Sequence, residues 1–304
     1  MSNLESIKKR IQSIEVTAKI TFAMKMVTTV KLQKYKKKYQ IYQNYFAGIM
    51  NVFRETINNP DLDLKTVNRL FYEYNKCNQT SEKKLYVAFG SDLGMCGRYN
   101  SEIVKKLRKL IKDPEKDQLI VYGTRLHSII NSQHPEWKIL DTVSQIDRNL
   151  DTDAMFIEAL DLFDHFLKND FSSIIFVYTK FINSLTFEPE TFQVLPIKLE
   201  SYNDKSALMS YAFEENLSHY ELGFHVEPVV ISLIPQLFTH LFYAVLLEAK
   251  ISESSSRFNA MNAATDNANA LLDEYKLEYN RTRQASITQE IIEIISGSSQ
   301  KQRK

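Results

Sequence analysis

Glycine and proline are scarce, at seven each in 304 residues, and where they are missing is more telling than how few they are. Between Met1 and Asn59 there is no proline and only Gly48, and between Gln236 and Ser296 there is neither. Proline removes a helical donor and glycine carries the largest backbone entropy cost, so nothing in these two spans need interrupt a helix. Cysteine is scarcer still. Cys77 and Cys96 stand apart with no CxxC and no adjacent histidine, which excludes a disulfide framework and the usual zinc spacings and fits a reducing, intracellular setting. Charge of one sign is missing too. Lys+Arg 38 against Asp+Glu 37 leaves +1, so a nucleic-acid binder working through global basicity is excluded and any basic surface must be local. No run of about 18 apolar residues occurs, and the opening MSNLESIKKRIQSIE has charges where a secretory leader needs its apolar stretch. Neither a transmembrane segment nor a signal peptide is expected.

What the chain does have is periodicity at both ends. From Leu4 to Ala18 the apolar or small positions fall at 4, 7, 11, 14 and 18, the alternating three and four of a coiled-coil seam. The rhythm is lost where Ile20, Met24 and Val27 form an offset face, as in a stutter, and returns at Tyr35, Tyr39, Tyr42, Phe46, Ile49 and Phe53. At about 1.5 Å per residue the first helix would be about 80 Å long, ending near Pro60. The C-terminal stretch, starting at Pro235, carries Leu237, Leu241, Val245, Ile251, Phe258, Leu272, Tyr279, Ile287, Ile291 and Ile294, with Ser254, Ser255, Ser256, Ala260, Ala263, Ala264, Ala268 and Ala270 permitting close approach of another backbone. Two such helices cannot bury their stripes alone. The economical arrangement pairs first with last as an antiparallel coiled coil.

Between them Leu85–Phe89, Leu119–Tyr122 and Ile174–Phe181 read as buried strands, the first two closed by glycine. Helical patterns follow the first at Ile103, Leu107, Leu110 and Ile111 and span Ala154 to Leu167. Phe187 to Ile197 reads as an edge strand, because Pro189 and Pro196 forbid a central place. The fold class is therefore α/β, with a central, mainly parallel Rossmann-like domain between the halves of a coiled coil. The divisions are 1–59 for the first shaft helix, 60–79 for a linker, 80–200 for the α/β domain, 201–234 for a connecting segment and 235–304 for the last helix with its basic tail.

No constellation amounts to an active site. The loop Gly90-Ser91-Asp92-Leu93-Gly94-Met95-Cys96-Gly97 follows a strand and precedes a helix, but it lacks both GxxxxGK[ST] and GxGxxG, and tight turning explains it. The six histidines show no HExxH, no serine sits in GxSxG, and Glu214-Glu215 and Asp273-Glu274 read as solvated helix faces. No cofactor or metal is expected. The block Lys31, Lys34, Lys36, Lys37 and Lys38, interleaved with Tyr35 and Tyr39, reads as the wet face of the rod, with RNA, anionic lipid or acidic partner loops as other readings.

Particular words in the chain say more than periodicity does. KITFAMKMV at Lys19–Val27, SDLGMCGRYN at 91–100, KFIN at Lys180–Asn183 and the segment from Arg257 to Gly297 resemble the motifs of ATP synthase gamma subunits. The resemblance runs over about the whole chain, weakest at 58–80 and 130–170. It implies a central rotor shaft of a rotary F-type ATPase, an asymmetric coiled coil inside a hexamer of alpha and beta subunits, with catalysis left to the beta subunits. It also implies contact with an epsilon subunit and a c-ring, and a peripheral place on the cytoplasmic side of the cell membrane. By motif match the hexamer contacts fall at Met24 and Lys25 on the first helix and Arg283, Gln284, Thr288, Glu290 and Glu293 on the last. Three other readings stay open: the gamma-like shaft of a paralogous rotary ATPase without the usual proton channel, a coiled-coil adaptor, and an α/β nucleotide-dependent enzyme.

Overall fold

A computed structural model describes residues 2–57, 82–146, 152–168, 171–195 and 226–301. The expected linker with its Pro60 stop, Cys77, Glu214-Glu215, His219, His225 and the tail after Lys301 lie outside these residues. The elements in chain order are α1 (Ser2–Ile57), β1 (Lys84–Phe89), α2 (Tyr99–Leu110), β2 (Gln118–Tyr122), α3 (Thr124–Gln133), β3 (Lys138–Val143), α4 (Thr152–Lys168), β4 (Ser173–Phe181), β5 (Phe187–Leu195) and α5 (Val226–Lys301). They fall into two compact units. One joins Met1–Thr29 to Arg257–Lys304, and the other comprises Val30–Ser256.

In the first unit, Arg10 Nη1 donates to Tyr275 OH at 3.1 Å, Glu15 meets Lys276 at 4.0 Å, Ala18 packs with Ala268 and Leu272, and Lys25 lies over the Phe258 ring. As the α1 numbers rise the α5 numbers fall, so the pair is antiparallel. The seam does not stutter. Ala18, Thr21 and Thr28 are the buried positions, while Ile20 and Val27 are more than half exposed. Threonine hydroxyls hold the seam because each finds a nearby acceptor: Thr21 Oγ1 donates to the Ala18 carbonyl at 3.1 Å, Thr28 Oγ1 to that of Met24 at 2.7 Å, and Thr265 Oγ1 lies 2.9 Å from Thr21 Oγ1. A satisfied hydroxyl costs little in a seam, so the rhythm of three and four continues through polar residues and the apolar ones turn outward. Leu272 is buried in the last helix, but Ile287, Ile291 and Ile294 of its expected stripe are exposed.

The second unit is a three-layer α/β domain. Its sheet has the order β3-β2-β1-β4-β5, parallel throughout except for β5, which pairs antiparallel to β4 at the edge. On one face, Tyr35, Tyr42, Phe46, Met50 and Phe53 of α1, together with α4 and α5, pack on Leu85, Val87, Phe89, Phe176 and Tyr178. On the other, Ile103, Val104 and Leu107 of α2 and Leu126 and Ile130 of α3 cover Tyr86, Ala88, Val121 and Val177. Burying each large apolar side chain stabilises by about 1.5–3 kcal/mol, so the face with two long helices dominates the packing. Helix α3 and strand β3 go beyond the sequence expectation: β3 (KILDTV) is a largely exposed edge strand, and α3 is rich in Ser, Asn and Thr.

Helix α5 starts at Val226 rather than Pro235, with Pro228 in its first turn and Pro235 inside it. An interior proline costs about 3 kcal/mol, and the burial of Ile234, Leu237 and Phe238 around it outweighs that loss. The stretch from Ser232 to Ile295 contains a window apolar enough by composition to cross a membrane, yet 78% of that window is buried within the protein.

Gly123 turns the chain from β2 into α3 at φ +113°, and a Cβ there would stand 2.6 Å from the Ser91 carbonyl oxygen. Gly123→Ala is therefore both strained and obstructed by backbone. We expect it to lower the unfolding free energy of the purified chain by about 2 kcal/mol or more in urea titration, and a loss under about 0.5 kcal/mol would contradict this.

Candidate functional site

An open parallel sheet binds ligands in the crevice outside the carboxyl ends of its strands, where successive connections leave in opposite directions. Here that point lies between β1 and β4. From β1 the chain passes through α2 to β2 on one side, and β4 takes the other side. A segment of α5 occupies it. The Tyr99 hydroxyl lies 3.2 Å from the Phe89 carbonyl, at the end of β1, and 3.1 Å from that of Ala249 on α5. At the end of β4, the Phe181 N–H donates to Glu248 Oε1 at 3.2 Å. Ser256 Oγ donates to the Cys96 carbonyl at 2.7 Å, and Ser255 Oγ to that of Ser184 at 2.8 Å. Lys250 and Glu253 form a 2.8 Å ion pair with both side chains almost wholly buried. The crevice is filled by the chain's own polar helix.

The glycine-rich loop is built for that closure. Asp92 accepts the N–H groups of Thr124 and Ile146 at 3.1 and 3.2 Å, so its carboxylate caps the start of α3. Asn100 donates to Ser91 Oγ at 2.7 Å and to Cys96 Sγ at 3.5 Å, and its carbonyl oxygen accepts the Ser91 N–H. Cys96 is thus a buried, hydrogen-bonded thiol. The positive φ values of Met95 and Gly97 complete the turn. The KFIN motif has a similar explanation: Asn183 Oδ1 accepts Leu185 N at 2.9 Å and Thr186 N at 2.7 Å, closing the β4–β5 hairpin. Lys36, from the basic block, lies over the Phe181 ring and 3.5 Å from Ser184 Oγ, while Lys34 and Lys37 are exposed. Among the described residues no group of three or more His, Cys, Asp or Glu is arranged to hold a metal ion.

Burial strongly perturbs several tyrosines, one carboxylate and one histidine. Desolvation pushes the Glu248 carboxyl up to about 7, with Glu190 adding to the rise and the Phe181 N–H and Lys180 opposing it. Desolvation pulls His240 down to about 4, so the ring is neutral at pH 7, within 2.7 Å of the Tyr42 hydroxyl.

The proposed contact residues lie on the coiled-coil unit. Arg283, Gln284, Thr288, Glu290 and Glu293 are all exposed on α5, and Thr288 Oγ1 donates back to the Gln284 carbonyl at 2.9 Å. Met24 and Lys25 are only half exposed, and Lys25 Nζ lies 5.8 Å from the Phe258 ring centroid. The outward residues beside them are Val16, Ile20, Phe22, Met26 and Val27, each at least 52% exposed. Sequence reasoning missed this apolar collar by assigning Ile20 and Val27 to a seam; the signal was the threonines at 21 and 28, in step with Ala18 and Tyr35. A second apolar patch, Ile287, Ile291, Ile292, Ile294 and Ile295, covers the end of α5. With Arg10 opposite Tyr275, Ser2 falls opposite roughly residue 283, so these last turns run beyond the start of α1.

The profile of the ATP synthase family matches residues 3–300. The chain is 36% identical over 308 residues to the ATP synthase gamma chain of Mycoplasmoides gallisepticum, covering 98% of this chain and 100% of that one. It is 35% identical over 300 residues to the ATP synthase gamma chain of Malacoplasma penetrans, covering 98% and 99%. Among solved structures, a chain of the Euglena gracilis mitochondrial ATP synthase (OSCP/F1/c-ring, rotational state 3) aligns with a TM-score of 0.67 at 18% identity, covering 98% of this chain and 94% of that one. A chain of the rotor of the same assembly in rotational state 1 aligns at 0.63 and 16%, covering 94% and 99%. The structural likeness establishes the fold.

Glu248 makes the sealed crevice sensitive to pH. Its folded value is raised, so the stability it contributes is complete below about 4.5 and is lost as pH rises through about 7. His240 works oppositely, contributing fully above about 6.5 and losing that contribution as pH falls through about 4. The two overlap, so the informative quantity is a difference. Between about pH 5 and pH 8, Glu248→Gln should gain of order 2 kcal/mol of unfolding free energy relative to the parent chain. A difference that stays flat across that range would show that Glu248 is ionised throughout.

Proposed function

Because the chain belongs to the ATP synthase gamma-chain family, the central-stalk subunit of rotary F-type ATPases, we propose that it works as a non-catalytic shaft, carrying torque between a catalytic alpha-beta hexamer and the rotor's foot. One observation carries the mechanical part. The antiparallel coiled coil buries threonines in its seam and turns Ile20, Phe22, Met26 and Val27 outward, so its surface is angularly uneven. A rotor turning in a ring needs such unevenness to act on one catalytic subunit at a time, together with stiffness, which uninterrupted helices provide.

The alpha and beta subunits are the partners of this unit, with Met24, Lys25, Arg283, Gln284, Thr288, Glu290 and Glu293 as its contacts and the apolar collar beside Met24 as a low-friction surface. An epsilon subunit and a c-ring complete the rotor, which gives the chain a peripheral position on the cytoplasmic side of the membrane. The absence of catalysis in the chain itself is supported by the sealed switch point: where an α/β domain would hold a nucleotide, Glu248, Lys250, Glu253 and Ser256 are buried against its own loops. The purified chain should accordingly hydrolyse no ATP. Turnover that co-purifies with it and responds to substitution of Asp92 would contradict that.

The contact set is tested by the double change Arg283→Ala with Gln284→Ala. Both side chains are exposed, so the isolated chain should keep its helical content. In reconstituted alpha-beta-gamma particles, steady-state ATP hydrolysis should fall several-fold as charge-assisted contacts of about 1.5–3 kcal/mol each are lost. Lys276 is a poor control, because it lies 4.0 Å from Glu15 across the coiled coil. Glu274→Ala, exposed on the opposite side of the helix from Arg283, is the better one and should leave turnover unchanged. Equal rates for all three particles would remove Arg283 and Gln284 from the mechanism.

A further inference from the structure

The α/β domain has a cleft of about 450 Å³ between the exposed edge of its sheet and helix α4. Its apolar floor is Ile120, Leu140 and Leu162, and its rim carries the carboxylates of Asp141, Glu158 and Asp161. The Tyr122 hydroxyl, rising from the sheet, donates to Glu158 Oε1 at 3.1 Å and fixes that carboxylate at the rim. Ile157, one turn before Asp161 on α4, is 63% exposed, and Leu140 on the edge strand is 38% exposed. The His165 ring also lines the cleft, and Lys168, further along α4, lies 3.8 Å from Asp164.

Composition does not require this concentration of acid. The chain as a whole is at +1, and the opposite face of the same sheet carries the reverse sign in Lys105, Lys106, Arg108 and Lys109 of α2. Exposed aliphatics around a concave apolar floor, rimmed by like charges, mark a binding surface rather than an evenly solvated helix face. The rim charge selects the occupant. An anionic lipid surface or an acidic segment would bring like charges together, whereas lysine or arginine would be steered in and paired.

We infer that the cleft between β3 and α4 docks a basic, apolar polypeptide segment of a partner, seating an aliphatic side chain over Ile120, Leu140 and Leu162 and Lys or Arg heads on Asp141, Glu158 and Asp161. This goes beyond the shaft role and does not depend on it, because it concerns a different unit and is read in the isolated chain.

The test uses the full-length chain and a fluorescent peptide of alternating leucine and lysine, roughly three helical turns long. Its leucine–glutamate counterpart and anionic phospholipid vesicles serve as the competing probes. Anisotropy should report binding of the lysine peptide alone, weakened by added salt. Asp141→Asn with Asp161→Asn should weaken it by at least about tenfold. Leu140→Ser, which leaves the charge unchanged, should weaken it comparably through the apolar contact, which separates docking from diffuse attraction to an acidic surface. Glu102→Gln, which removes one negative charge from α2 on the other face, should leave it unchanged. Binding of the double variant within about twofold of the parent chain, equal weakening by Glu102→Gln, or comparable binding of the glutamate peptide or the vesicles would each overturn the assignment.

Discussion

From Leu237 to Ser256 every side chain of α5 is buried, the polar ones included. A helix that is covered all round belongs to a core, and this one begins as a core helix and ends as a polar plug. Its apolar part, from Leu237 to Leu247, packs with α1 and α4 on one face of the sheet. Its polar part, from Glu248 onward, enters the place where a related fold would admit a ligand. A polar group buried there without a partner costs about 1–3 kcal/mol, and within Glu248–Ser256 the Ser252 hydroxyl bears that cost. Phe181 N–H, the Cys96 carbonyl, the Ser184 carbonyl and the Lys250–Glu253 pair supply such partners. The glycine-rich loop and the β4–β5 hairpin are shaped by that demand. They resemble ligand loops because they do the same job of presenting backbone groups, here to a helix of their own chain.

The coiled-coil unit reverses the usual distribution of polarity. A seam of aliphatics would hold its two helices more tightly than one containing Thr21, Thr28 and Thr265. Threonine hydroxyls bonded to carbonyls of the preceding turn are nearly neutral in energy, so the seam tolerates them. The apolar residues released from the seam, Ile20, Phe22, Met26 and Val27, then face outward. Apolar contact is non-directional, so a surface of this kind can meet a surrounding ring without being held in one orientation, as directional hydrogen bonds would hold it. Directional groups appear further along α5, at the exposed Arg283, Gln284, Glu290 and Glu293.

Much of this was legible in the residues. The two long helices follow from the absence of proline and glycine, and the buried strands β1, β2 and β4 follow from short apolar runs. The edge position of β5 follows from its prolines, whereas its antiparallel direction does not. What escaped did so for physical reasons. Strand β3 lies at an exposed edge, where only one side of each residue is packed and no alternation is enforced. Helix α3 is held by Leu126 and Ile130 and by the Asp92 cap, and the cap comes from a residue remote in sequence. The start of α5 was set at Pro235 by a local rule that burial on both sides of that proline overrides. The stutter was an error of chemistry: reading hydrophobicity alone sends the seam to Ile20 and Val27, whereas a threonine with a carbonyl in reach is equally at home inside.

The same reasoning limits what the candidate contact residues share. Motif matching places Met24 and Lys25 with Arg283 and Gln284 as one class, but their surroundings differ. Lys25 lies over the Phe258 ring within its own coiled coil, and Met24 is half covered, whereas Arg283 and Gln284 stand exposed. An interfacial group already engaged at home must give up that contact, or extend it, when a partner arrives, and a cation over an aromatic face is worth about 0.5–1 kcal/mol at an exposed site. Lys25 would therefore give up or extend a contact at home, whereas the exposed Arg283 and Gln284 carry no such cost. Division of labour along the coiled coil thus follows from where each side chain spends its interactions: inward near Thr21 and Phe258, outward at Arg283 and Gln284 beyond Tyr275.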